Sequence, residues 1–358
     1  MKRRTAREHE PTSPTGNGGG GTGTEPGSSP QAPALRGARA PRETEPIDAG
    51  AVGRRALRRL LAVCLAGVIV TAFAYAVTVG TELGQLMSEL ILGGRTGTPA
   101  AVRAAEDVLR TTSRAAIAAS GVSVVALALL QRREALALVA GATVVLANLT
   151  TQVLKGAVLD RSDLLDNLFY VLPNSFPSGH ATAAASVAVA LLLVLPPMLR
   201  NPTVILASIA VALVGASTLL AGWHRMADAI GGVFVATAWG AGLTALLVWR
   251  RGVEPVGRRT AALGRASAQV SAVVGVVVLL VGSAAYLLAL ADPLGVLLYL
   301  ADRGGSPALL VVGVLITTGV SFLALGGFGL AIRDVRLDPR RSEIAPAMSE
   351  PSTRRAEP

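Results

Sequence analysis

The sequence predicts an all-α fold, a polytopic membrane helix bundle of about eight spans, and three observations carry that prediction. Apolar residues make up 51% of the 358 residues, charged residues only 16%, and the mean hydropathy is +0.54. That is too apolar for a soluble domain of this size. Runs of about 20 apolar residues recur along the chain, each long enough as a helix to cross about 30 Å of hydrocarbon. The arginines gather beside these runs rather than within them. A net charge of +10 on such a chain suits anionic lipid headgroups and the setting of topology, and excludes a nucleic-acid partner, which would need a folded basic face. The single cysteine, Cys64, lies inside the first run, so neither a disulfide framework nor a cysteine metal site is available.

The elements follow in order. Residues 1–53, rich in Gly, Pro, Ser, Thr, Arg and Glu with a glycine run at 18–21, cannot bury enough apolar surface to fold and are expected to be a disordered tail. That length of polar chain is too long for a signal-peptide leader, so the first apolar run, 57–80, is expected to remain as a span. Thr98-Pro99 reads as a helix start, with proline at the first helical position. A short surface helix is expected over 99–112. Spans then follow over 113–130, 134–154, 180–197, 203–223 and 229–249, completing a six-span core from 54 to 250. The arginine-bearing stretch 251–266 reads as a linker, 267–332 as an additional hairpin with spans at 268–291 and 307–332, and 333–358 as a second disordered tail.

Orientation comes from the arginines. With the N-terminus inside, the inner segments carry Arg54 to Arg59, Arg132, Arg133, Arg200, Arg250, Arg251, Arg258, Arg259, Arg265 and the run from Arg333 to Arg341. The outer segments carry fewer basic residues: Arg95, Arg103, Arg110, Lys155, Arg161, Arg225 and Arg303. The positive-inside rule therefore predicts both termini in the cytoplasm. The same count puts Lys155, His180 and His224 on one face, the outer one.

That coincidence matters because titratable side chains are scarce here. The chain has three histidines, and two of them, His180 and His224, stand at the edges of apolar spans. Only two lysines occur, Lys2 and Lys155. His224 and Asp228 are four residues apart, which on a helix is one turn on one face. A carboxylate so placed fixes one imidazole nitrogen and leaves the other as nucleophile or base. The competing reading is a simple helix-end ion pair. In Pro177-Ser178-Gly179-His180, proline stops a preceding helix, Ser178 suits the next N-cap and Gly179 lets a ligand approach the backbone. N–H groups at a helix N-terminus form an anion site. The same tripeptide is also good chemistry for an ordinary cap. Lys155 and Arg161 offer a point charge and a planar fork to a phosphate, or else a snorkelling lysine and an arginine paired with Asp160, Asp163 and Asp166.

Taken together these segments resemble the type 2 phosphatidic acid phosphatase superfamily, which also includes vanadium haloperoxidases. Its motifs run Lys-x6-Arg-Pro, Pro-Ser-Gly-His and Ser-Arg-x5-His-x3-Asp. Here they are matched by Lys155 to Arg161, by Pro177 to His180, and by Ser217 through His224 to Asp228, within about residues 113–250. The resemblance implies that His224 attacks phosphorus and forms a phosphohistidine, Asp228 orients it, and His180 protonates the leaving oxygen. It implies that Lys155, Arg161, Ser178 and Gly179 hold the phosphoryl oxygens, and that neither metal nor cofactor is needed. Two departures stand out. The first motif is one residue short, with Ser162 in place of the proline, and Thr218 replaces the arginine of the third. Arg225 is a candidate substitute, although a helix would point it about 100° away from His224.

The implied function is a membrane phosphatase whose partner is a lipid phosphate or diphosphate, such as a polyprenyl diphosphate, phosphatidic acid or phosphatidylglycerol phosphate, cleaved at the outer face of the cell membrane. A phosphotransferase using the same site is a variant. A catalytically silent relative or a transporter is the alternative from another class. Transporter sites, however, lie near the midplane on broken helices with ionisable residues, whereas here the ionisable residues lie at span ends.

Overall fold

The computed structural model describes residues 48–97, 99–112, 114–165, 174–291 and 306–337. Most of the two expected tails, Asp166 and Arg303 lie outside the described residues. Helix α1 (Ala49–Thr78) begins before the expected boundary because the Asp48 carboxylate accepts the Ala51 N–H at 3.0 Å and caps it. Helix α2 (Glu82–Gly93) is capped by Thr81 and was not expected. At twelve residues it is too short to span, and it is buried instead. Met87, Leu90, Ile91 and Leu92 pack against Leu219, Leu309 and Leu310. A 3-10 turn (Gly94–Gly97) leads to α3 (Pro99–Thr111), where Pro99 takes the first position as its fixed φ favours.

The bundle continues with α4 (Arg114–Leu130), α5 (Glu134–Val153) ending in a π-turn (Leu154–Val158), α6 (Gly179–Val194), α7 (Pro197–Leu220) and α8 (Met226–Arg251). A short strand β1 (Val253–Pro255), helices α9 (Arg258–Leu290) and α10 (Pro307–Ile332), and strand β2 (Val335–Leu337) complete it. The eight expected spans correspond to α1 and α4 to α10. Six of these helices are individually long and apolar enough to cross a membrane. Helices α4 and α6, with 17 and 16 residues, reach only about 25 Å each.

Helix α8 is the axis of the bundle. It is built from alanine and glycine with few large residues, and it is buried along most of its length against α1, α5, α6 and α7. Small residues let backbones approach closely where no hydrophobic driving force separates helix from lipid. A Cβ on Gly67 of α1 would stand 2.9 Å from the Phe234 carbonyl of α8. The final hairpin is integrated rather than appended. Helix α10 packs on α7, α8 and α2, while α9 lies outside it. Val273 and Leu280 of α9 are 60% and 63% exposed, as a lipid-facing surface requires.

The two ends of the bundle differ. At one end β1 and β2 pair antiparallel, Val253 with Leu337. Buried Arg200 donates to the Leu193, Leu195 and Val335 carbonyls. Arg133 donates to the Val194 and Leu337 carbonyls, and Arg59 pairs with Asp334 at 2.6 Å. Strand and arginines satisfy the carbonyls that the C-terminus of α6 leaves open. The expected linker is thus helical from 258, and the expected tail contributes the strand 335–337. Beside Asp334, Arg333 is pushed below the usual arginine range by burial and by Arg59. The opposite end carries the chemistry. There the hydroxyl of Tyr75, near the end of α1, donates to the Asp160 carbonyl at 2.5 Å.

Candidate active site

Three chain segments build the site. The first is the end of α5. Its π-turn widens the last turn and presents Lys155, half-buried, toward a cavity. The second is Ser175 to His180. Ser178 is the N-cap of α6, its Oγ accepting the Ala181 N–H, and its own N–H donates to the Asp228 carbonyl at 2.8 Å. This segment can dock only because α8 offers glycines beneath it. A Cβ on Gly231 would stand 2.5 Å from the Phe176 ring, and one on Gly232 would stand 2.6 Å from the Ser178 carbonyl. The third is the turn between α7 and α8. It reverses at Gly222, whose φ of +73° is left-handed and favours glycine. It is pinned by the Thr218 carbonyl, which accepts the N–H groups of both Trp223 and His224.

The third segment corrects the helix-face argument. His224 precedes the helix, since Arg225 is the N-cap of α8 with extended backbone. The contact with Asp228 therefore joins a turn to the first turn of a helix. Asp228 Oδ2 lies 3.4 Å from His224 Nδ1 and also accepts the Arg225 N–H at 2.9 Å and the Ser175 hydroxyl. A carboxylate so fixed can orient the imidazole through Nδ1 and leave Nε2 for other chemistry.

The cavity has a volume of about 970 Å³, and its lining includes Lys155, Gly179, His180 and His224 at one end. The His180 and His224 ring centres are 6.4 Å apart, and Trp223 packs against His180 with centres 5.4 Å apart. The remaining walls are mostly apolar: Gly121, Val125 and Leu129 of α4, Val144 and Val145 of α5. Leu129 and Val145, which line this part of the cavity, are themselves exposed, so the cavity is open along its apolar wall. Histidines, a lysine and a helix N-terminus at one end of an apolar slot can take an anionic group that carries an apolar tail.

The structure thus gathers Lys155, Gly179, His180 and His224 around one cavity, with Asp228 and Ser178 immediately behind. It does not bring Arg161 to the cavity lining. That side chain is 3% exposed, and its Nη2 lies 3.2 Å from Glu89 Oε1. Burial above all, and then the neighbouring Arg225, push the Arg161 guanidinium below the usual arginine range, while Glu89 opposes them. Thr218 is fully buried, and its hydroxyl donates to the Gly215 carbonyl. It offers nothing to a phosphate.

Three participants escaped the sequence reading: Glu89, Ser175 and Trp223. Glu89 had a signal. With Gln85 it forms a buried polar pair one turn apart on a helix whose later residues are mostly apolar. Gln85 donates to the Val79 and Ser162 carbonyls, so this edge of α2 holds the 160–164 connector. Among the described residues no group of three or more His, Cys, Asp or Glu side chains is placed to hold a metal ion.

No curated protein matches the chain. A crystal structure described as the first transmembrane PAP2 type phosphatidylglycerolphosphate phosphatase from Bacillus subtilis is similar at 20% identity and a TM-score of 0.42, covering 52% of this chain and 95% of that one. The family model of the PAP2 superfamily matches residues 136–252. This stretch runs from α5 to the end of α8 and contains every cavity-facing polar group named above, so what matches the PAP2 superfamily is the site-bearing segment of this membrane bundle.

Proposed function

We propose that the protein is an integral membrane phosphatase acting on a lipid phosphate or diphosphate through a phosphohistidine. The observation that carries this reading is the pairing of His224 with His180 across the polar end of an open, mostly apolar cavity. In the proposed reaction, His224 Nε2 attacks phosphorus as the P–O bond to the lipid breaks. Protonated His180 donates its proton to the departing oxygen. Water, activated by His180 now acting as base, then attacks the phosphohistidine, releases inorganic phosphate and restores His224. Lys155 and the N–H groups at the start of α6, including Gly179, face the developing charge, where preorganised donors are worth most. Ser178 and Arg161 act from behind this layer, one through the α6 cap and one through Glu89. The apolar walls suit a hydrocarbon tail. The proposed orientation keeps both termini in the cytoplasm and the site outward, with the arginine-rich β1–β2 end inside.

The test is phosphate release by detergent-solubilised protein from polyprenyl diphosphates and glycerolipid phosphates, with and without chelator. Release that persists in chelator and disappears in His224→Ala is expected. Turnover by the His224→Ala variant at the wild-type rate would remove the mechanism. Release only when an alcohol acceptor is supplied would make the protein the phosphotransferase variant.

A further inference from the structure

Four charged side chains lie buried together behind His224. Arg225, 2% exposed, places Nε 2.8 Å and Nη2 2.7 Å from Glu89 Oε1, the same oxygen that faces Arg161. Arg225 Nη1 lies 3.4 Å from Ser175 Oγ, and Ser175 donates to Asp228 Oδ2, which faces His224. The chain from Glu89 to His224 is continuous. Its charges are two arginines against two carboxylates, a balanced set. The other charged or titratable groups around it are Lys155, close enough to Asp228 to feel its charge, Asp163, which acts on Arg161, and His180 across the cavity.

The balance has a consequence for the nucleophile. Without Glu89, the two guanidiniums would have Asp228 as their only buried counter-ion, with Asp163 exposed beyond Arg161, and would draw on that carboxylate, since an unpaired buried charge is costly. Asp228 would then polarise His224 less. Glu89 reaches in from α2, outside the matched segment, and occupies both arginines. Lys155 remains as the cation facing the cavity.

We propose that Glu89 is a positioning residue for the His224–Asp228 pair, its carboxylate shared between the Arg161 and Arg225 guanidiniums so that neither turns to the Asp228 oxygen that faces His224. The proposal rests on the reading of His224 as nucleophile, so its test reads imidazole reactivity without turnover. The full-length protein in detergent is treated with diethyl pyrocarbonate, and carbethoxylation of the His224 peptide is followed by mass spectrometry. In Glu89→Gln we expect His224 to react several-fold more slowly, and kcat to fall about tenfold with KM within about twofold. Glu89→Asp, which keeps the charge, restores most of both. The double variant Glu89→Gln/Arg225→Met, which restores the charge balance, recovers the His224 rate, because replacing a buried pair whole is far better tolerated than breaking it. Loosened structure would expose His224 and speed its modification, the opposite sign. An unchanged or faster His224 rate in Glu89→Gln would overturn the proposal. So would tighter vanadate inhibition of that variant, which would make Glu89 a plug in an anion site. Should Glu89→Gln not fold, the double variant decides: wild-type reactivity keeps the proposal, and a several-fold loss removes it. Absence of phosphate release from the wild-type protein would instead strike the proposed function, leaving the reactivity comparison readable.

Discussion

At the scale of single residues, the departure at Thr218 is accommodated by where its side chain sits. Thr218, in the place of the family arginine, points into the packed α7 turn with its hydroxyl on the Gly215 carbonyl. Restoring the arginine is therefore expected to harm. Thr218→Arg would bury an unpaired guanidinium and displace the carbonyl that holds the Trp223 and His224 N–H groups. A loss of about 3 kcal/mol or more in unfolding free energy is expected, with phosphatase activity falling. Thermal unfolding followed by fluorescence, alongside phosphate release, checks this, and a stable variant with raised activity would contradict it. His180, His224, Asp228 and Lys155 were legible because scarce titratable residues stood out against an apolar background. The burial of Arg161 was not legible, because its partner Glu89 lies 72 residues away along the chain.

At the scale of elements, the eight apolar runs were legible from length and hydropathy alone, since a helix must satisfy its own backbone within lipid. Helix α2 and the β1–β2 pair were not. Helix α2 is apolar but short, and its burial depends on the faces that α7 and α10 present to it. The strands have three residues each and exist because Arg200 and Arg133 hold their carbonyls and those of α6. Arg200→Met should leave the Leu193, Leu195 and Val335 carbonyls without their charged donor. An apparent stability loss of about 3 kcal/mol is expected, with β2 undocking. Phosphate release by the protein that remains folded should change little, because Arg200 is at the opposite end from the cavity. Limited proteolysis after residue 333, compared with melting temperature and activity, checks this. Undiminished stability would show that the strand pair is held by other means.

At the scale of the whole molecule, the bundle separates its arginine-clamped β1–β2 end from the end with the histidine pair, and the proposed orientation puts the latter outside. In a Cys64→Ala background, Asp160→Cys is expected to react with a membrane-impermeant maleimide on intact cells. Arg336→Cys is expected to react only after permeabilisation. The reverse pattern would turn the site to the cytoplasm and with it the side from which substrate and water arrive. Helix α10 also binds the matched segment to the rest of the fold, through α7, α8 and α2. Its small residues make this packing possible: a Cβ on Gly313 would stand 2.8 Å from Ile91 of α2.

The sequence by itself determined the helical membrane class, the order of the spans and the titratable groups that line the cavity, Lys155, His180 and His224, because hydropathy and spacing are local and the solvent is apolar. Tertiary structure alone decided which charges meet. Glu89, Arg161, Arg225, Ser175 and Asp228 come from three regions of the chain, and no local pattern encodes their balance. A buried charge is tolerable only beside its partner, and packing brings the partners together.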